Sequence, residues 1–165
     1  MQLTRAADYG VRVMMHLAAG TNGPRASLTE LADAADVSPA FLSKVLQRLV
    51  RAGLLASRRG KRGGFEMVER GRTASLYDVL EALDGVPALN VCLLDGGCHR
   101  SPWCAAHHVW MDIQDRMRES LRTTSLQSLA LDTQSRKAAL SGDNADAGTQ
   151  GNGHGGGDGW FPVES

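Results

Sequence analysis

Two short helical segments joined by a tight turn, a glycine-rich basic hairpin behind them, and a cysteine-bearing loop ahead of one long amphipathic helix predict a mainly α fold. The expected architecture is a winged helix-turn-helix with a small two-stranded wing, then the cysteine loop and a long dimerisation helix. The expected divisions are residues 1–85, residues 86–133, and a disordered tail over residues 134–165.

At 165 residues the chain can bury a real core. Lys plus Arg and Asp plus Glu each number 18, so no global field points to a partner. The first ten residues, MQLTRAADYG, lack a signal peptide's basic start and apolar run, and no stretch approaches the roughly 20 apolar residues of a membrane span. A reducing cytoplasmic setting is expected, in which thiols are free to bind metal.

Apolar residues at Leu3, Ala7, Val11, Met14, Met15 and Ala18 follow helical spacing, with Thr4 as cap and Gly20 as stop. Asp8 falls in the first turns, where a carboxylate is favoured by the helix dipole. Ser27 and Glu30 fit a capping box opening a short helix over residues 28–35. Asp36-Val37 turns the chain. Pro39 then suits the first position of a second helix, whose buried stripe is Phe41, Leu42, Val45, Leu46 and Leu49 and whose stop is Gly53. Residues 54–58 and 65–68 read as strands flanking the loop RGKRGG.

The charge in this region is one-sided. Lys44, Arg48, Arg51, Arg58, Arg59, Lys61 and Arg62 lie between residues 37 and 65, with no acidic residue among them. A merely solvated face would interleave both signs. Duplex DNA carries about one negative charge per 1.7 Å of axis and favours such a surface by counterion release. Geometry then sets Ser38, Ala40, Phe41, Ser43 and Lys44 toward base edges in the major groove, with Gln47 one turn on and able to pair with adenine. Arg48 and Arg51 are expected at phosphates, and Arg59 or Arg62, beside Lys61 on the wing, in a minor groove. With eight aromatic residues in all, stacking on single strands is not expected.

Ser75 and Asp78 form a second capping box, opening a helix over residues 76–83 that buries Leu76, Val79, Leu80 and Leu83 and stops at Gly85. Residues 91–108, VCLLDGGCHRSPWCAAHH, then hold all three cysteines, Cys92, Cys98 and Cys104, at equal five-residue gaps. The flanking Asp, Gly, His and Arg do not make a core, and an odd count with no sign of secretion speaks against disulfides. Three thiols with His107 and His108 just beyond predict a metal or cluster site. Ser101-Pro102 is expected to open a helix reaching about Leu121, with an apolar stripe of Ala106, Val109, Trp110, Ile113, Met117 and Leu121. A helix with one such stripe needs a partner; a second copy is the expected one, and packing on its own domain is the alternative. A last short helix is expected from Thr124 or Ser125 to about Leu131. Residues 141–159, rich in Gly, Asp and Asn, are expected to be disordered; Trp160-Phe161 and His154 receive no role.

The opening MQLTRAADYG, the helix-turn-helix with its RGKRGGF wing, and the C-x5-C-x5-C loop before a long helix resemble the bacterial IscR/NsrR-type iron–sulfur transcription regulators over about residues 1–133. The resemblance implies a homodimeric winged-helix DNA binder, no enzyme, commonly a repressor, whose cluster state changes DNA affinity. In IscR-like members a [2Fe–2S] cluster is held by three cysteines and a histidine, which here match Cys92, Cys98, Cys104 and His107. In NsrR-like members a [4Fe–4S] cluster that senses nitric oxide takes its fourth ligand from an aspartate of the partner's first helix, matched by Asp8. The carboxylate that IscR uses for base choice is replaced by Ser43. Zinc remains an alternative for three Cys plus one His, although the gaps exceed the usual two to four residues. A thiol enzyme using Cys98 or Cys104 with His99 or His107 would need a second constellation that the sequence lacks. An electron carrier would leave the basic helix and wing unexplained.

Overall fold

The computed structural model describes residues 3–20, 25–60, 63–94 and 97–146. The chain begins with α1 (Arg5–Ala19), capped by Thr4, whose hydroxyl accepts from the Ala7 amide, and stopped by Gly20 at φ 62°. A two-residue strand β1 (Arg25–Ala26) leads into α2 (Leu28–Ala35), which opens on the Ser27–Glu30 capping box with both reciprocal bonds made. Asp36, in the left-handed region, turns the chain into α3 (Pro39–Arg51), capped by Ser38. Strands β2 (Leu55–Arg58) and β3 (Gly64–Met67) form the hairpin, and one helical turn, α4 (Glu69–Arg72), connects it to α5 (Leu76–Asp84). After a 3₁₀ turn at Val91–Leu93 come α6 (Ala105–Thr123) and α7 (Leu126–Asp146).

The stripes on α1, α2, α3 and α5 converge on one core. Met14, Leu31, Leu42, Leu46, Leu49, Leu54 and Leu83 are essentially without solvent contact. Removing these side chains from water is the main force that sets α3 on its support. Leu76 is only half-buried; Tyr77 takes the inward position beside Val79 and Leu80.

The structure differs from the sequence expectation at four places. The sheet has three strands, not two, in the antiparallel order β1-β3-β2, because Arg25 and Ala26 pair with Glu66 and Phe65. The turn α4 was not expected. Helix α6 starts at Ala105, not at Ser101-Pro102, because the Ser101 amide and hydroxyl both donate to the Cys98 carbonyl (2.9 and 2.6 Å) and close a turn there. Cys104 is therefore the N-cap residue. Finally, α7 runs on to Asp146 instead of stopping near Leu131. Residues 1–133 form one compact unit, within which Leu126 and Ala130 are buried. Residues from 134 onward form a second unit, in which residues 134–141 are exposed. Lys61, Arg62, His154, Trp160 and Phe161 lie outside the described residues. Among the described residues, no helix is long and apolar enough to cross a membrane.

Candidate functional site

The candidate residues lie on two surfaces: the outer face of α3 with the wing, and the cysteine loop with the start of α6.

Burial of Leu42, Val45, Leu46 and Leu49 turns the opposite face of α3 outward. Ser38, Ala40, Lys44 and Gln47 are exposed there and Ser43 half-exposed. Among the described residues, neither Lys44 nor Gln47 is drawn into a hydrogen bond or ion pair. Ser38 also caps the helix, its hydroxyl accepting from the Phe41 amide at 3.4 Å. Two residues expected at DNA face elsewhere. Phe41 is half-buried and packs edge-on against Tyr9 of α1, with ring centroids 5.8 Å apart, so it braces α3. Arg48 is half-buried and its guanidinium donates to the carbonyl of Leu83 at the end of α5, not to the outside. Sequence reads the charge of an arginine but not its direction.

On the wing, Arg59 is exposed. Arg58 is held by Glu66, Nε to Oε1 3.0 Å, while Arg25 grips the other carboxylate oxygen at 2.7 Å. The register sets Arg25 opposite Glu66 and Arg58 diagonally across from it. The bonds from Arg25, then those from Arg58, hold the Glu66 carboxyl below its ordinary value of 4.5. A carboxyl depressed in the folded state stabilises the fold above its unfolded value, and that stabilisation is lost as pH falls through the folded one. Wild-type protein is therefore expected to lose more of its urea midpoint between pH 7 and pH 3 than Glu66→Gln; an equal loss would show that the triad does not support the sheet.

The cysteine loop places three free thiols, Cys92, Cys98 and Cys104, each half-buried. Cys92 sits in the 3₁₀ turn, Cys98 begins the turn closed by Ser101, and Cys104 stands at the positive end of α6, where a thiolate is favoured. Gly97 adopts φ 57° and donates its amide to the Leu94 carbonyl at 2.9 Å. His107 lies one turn into α6. Its Nδ1 is buried and has no hydrogen-bond partner among the described residues. Buried polar atoms are rarely left so, and an orphan of this kind marks a place for a ligand, ion or water. Among the described residues, however, no three Cys, His, Asp or Glu side chains converge closely enough to hold a metal ion. The donor types, three thiols and an imidazole, fit a sulfur-rich centre. Asp8 is exposed on α1 and ion-paired to Arg12 at 2.8 Å.

The outer face of α6 is apolar and uncovered: Val109 is 57% exposed, Ile113 43%, and Trp110 is exposed beside them. Its inner face is polar. Gln114, its one buried residue, accepts from the Leu89 amide at 3.0 Å, Arg118 donates to the Pro87 carbonyl at 3.3 Å, and Arg122 lies over the Tyr77 ring.

The chain is similar to known transcriptional regulators over most of its length. It is 33% identical over 132 residues to an HTH-type transcriptional regulator of Mycobacterium tuberculosis, Rv1287, covering 79% of this chain and 81% of the relative. It is 27% identical to the HTH-type transcriptional regulator IscR of Escherichia coli O1:K1, over 78% of this chain and 80% of that one. Among solved structures, CymR, the global cysteine regulator of B. subtilis, superposes with a TM-score of 0.63 at 29% identity, over 79% of this chain and 96% of CymR. IscR of T. potens shares the fold with a TM-score of 0.60 at 21% identity, over 92% and 94% of the two chains. The Rrf2 family, described as iron-dependent transcriptional regulators, matches residues 3–132. The chain belongs to the Rrf2 family of transcriptional regulators.

Proposed function

We propose that this regulator binds duplex DNA as a homodimer and that an iron–sulfur cluster at Cys92, Cys98 and Cys104 sets its affinity, with repression as the usual output. The observation that carries the reading is the unpartnered buried Nδ1 of His107, three residues past Cys104, on a chain whose three cysteines are all free and half-buried. A cluster bound there would supply a centre reactive toward oxidants or nitric oxide. The fourth ligand is either His107 or Asp8 of the partner subunit; Asp8 must first let go of Arg12.

The chain's own residues do the rest. Val109, Trp110 and Ile113 seal two α6 helices together, removing their apolar face from water. Lys44, Gln47, Ser38, Ala40 and Ser43 of each recognition helix then meet a half-site, with Arg59, Lys61 and Arg62 of the wing on the flanking backbone or minor groove. Half-sites lie about 34 Å apart on B-DNA, so a small tilt between protomers removes one set of contacts. Drawing the cysteine loop inward is the step that supplies the tilt. The proposed setting is the reducing cytoplasm.

A second reading, a regulator with zinc or with no metal, is favoured by one observation: the donors do not converge among the described residues. Anaerobic purification with iron and sulfide counts and an absorption spectrum separates the two. Stoichiometric iron and sulfide with visible absorption, lost in Cys98→Ser, is expected. Repeating the spectrum on Asp8→Ala and His107→Ala identifies the fourth ligand, and an unchanged spectrum in both removes both candidates. A colourless protein that carries zinc or no metal removes the cluster.

A further inference from the structure

The stretch between α5 and the cysteines is tied down at both ends. At its start, the Leu83 carbonyl accepts from the Arg48 guanidinium of the recognition helix. The last carbonyls of a helix lack partners within it, so this acceptor is free to take a side chain from outside. The next residue, Asp84, takes the Thr4 amide and hydroxyl, at 3.1 and 2.5 Å, and so fixes the same point to the cap of α1. Leu83 itself is buried, and a Cβ on Gly10 of α1 would overlap its Cδ1 and lie 3.5 Å from Val45 of α3. Three helices thus close on one residue.

At the other end, the Pro87 carbonyl is held by Arg118 and the Leu89 amide by Gln114, both on α6. Cys92 follows three residues after Leu89. Residues 85–90 therefore form a strap with the DNA-reading helix at one end and the first cysteine at the other. Beside it lies a cleft of about 760 Å³, lined among others by Arg48, Leu83, Asp84, Pro87, Leu89 and Asn90, which leaves room for the strap to shift.

We propose that this strap is the link between the cysteine loop and the recognition helix, with Arg48 as the positioning residue that carries its movement into α3 and Gln114 as its anchor on α6. Arg48 acts through the end of α5. Its charge, which the sequence assigns to a phosphate, serves a carbonyl inside the protein. Displacement of Cys92 pulls on Leu89 and then on Leu83, and the Arg48 bond rotates or releases α3. The inference rests on the reading of this chain as a DNA-binding regulator and holds whichever metal the thiols take.

Linkage is reciprocal, so DNA on α3 must alter the loop as the loop alters α3. The test uses full-length metal-free protein and a duplex that it selects from a random-sequence pool. The alkylation rate of Cys92 by iodoacetamide is followed by mass spectrometry, with and without saturating duplex, for wild type, Arg48→Met and Gln114→Leu. Binding is followed in the same samples by fluorescence anisotropy, and folding by circular dichroism. The rate reports the population of loop conformations that present Cys92, and wild type is expected to change it about fivefold or more on binding DNA, the lower end of ordinary coupling. Both variants, still bound to the duplex, are expected to show no such change. If Arg48→Met does not fold, Gln114→Leu, which lies on α6, decides alone. A wild-type rate indifferent to bound DNA overturns the proposal, as does a DNA effect retained in either folded variant. Wild type that binds no duplex at all sinks the functional reading as well as the strap.

Discussion

The double variant Lys44→Ala, Gln47→Ala is expected to lose about 2–4 kcal/mol of duplex affinity, roughly thirtyfold to a thousandfold, with its melting temperature unchanged. Both side chains stand on the exposed face of α3, opposite Leu42, Val45, Leu46 and Leu49. Neither supports the core, and exposed substitutions of this kind cost within about 0.5 kcal/mol of stability. The single variants divide the effect. Gln47→Ala should relax preference at one base pair, since an amide reads adenine through two bonds. Lys44→Ala should weaken all sequences about equally and lower the salt slope by about one if the ammonium sits on a phosphate, or act at one position if it reads guanine. Titrations at several salt concentrations against matched and mismatched duplexes check this. Unaltered affinity in the double variant would mean that α3 does not enter the groove.

Gly71→Ala is expected to cost about 3 kcal/mol of stability, the upper end for overpacking, although it adds one methyl group. Gly71 is buried in α4. A Cβ there would overlap the carbonyl oxygen of Leu54 and lie 3.0 Å from its carbon. That neighbour is backbone and cannot rotate aside. It is also committed: the Leu54 carbonyl accepts from the Val68 amide at 3.3 Å, and the next residue begins β2. Relief must come from moving the hairpin or α4, so the wing should tilt and duplex affinity fall together with the urea midpoint. A midpoint within experimental scatter of wild type would show that this approach is looser than described.

The parts of the fold with strong punctuation were legible in the sequence. Thr4 and Gly20, the boxes at Ser27–Glu30 and Ser75–Asp78, and Pro39 after Ser38 each act within one turn, and the structure has each in its expected place. What was not legible depends on partners distant in sequence or on very short elements. Two residues, Arg25 and Ala26, are too few to show alternation, and they become a strand only because β3 offers its edge. The turn α4 lacks a side-chain cap. Residues 134–146 fall in the stretch expected to be a disordered tail, yet Gln, Arg, Lys, Ala and Leu there are good helix formers and α7 continues through them. The start of α6 was misplaced because Ser101 resembles a cap until its hydroxyl is seen on the Cys98 carbonyl.

The candidate site divides in the same way. Spacing singles out Cys92, Cys98 and Cys104 with His107 and His108 just beyond, the resemblance alone narrows these to His107, and punctuation together with one-sided charge picks out α3 and the wing. The inward turn of Arg48, the capture of Arg58 by Glu66 and the unsatisfied Nδ1 of His107 are facts of direction. Of the stripe expected on α6, Ala106, Val109, Trp110 and Ile113 are exposed while Met117 and Leu121 are half-buried, and the hold of Gln114 and Arg118 on residues 89 and 87 is not legible in the spacing.

The central claim is that the occupant of the cysteine loop governs the grip on DNA. It is tested most directly by measuring the affinity of one anaerobic preparation for its selected duplex before and after chelation of iron, at a single salt concentration. A shift of about 5- to 150-fold is predicted, the usual span of coupling between two sites. Identical affinities for the iron-loaded and iron-free protein would contradict it.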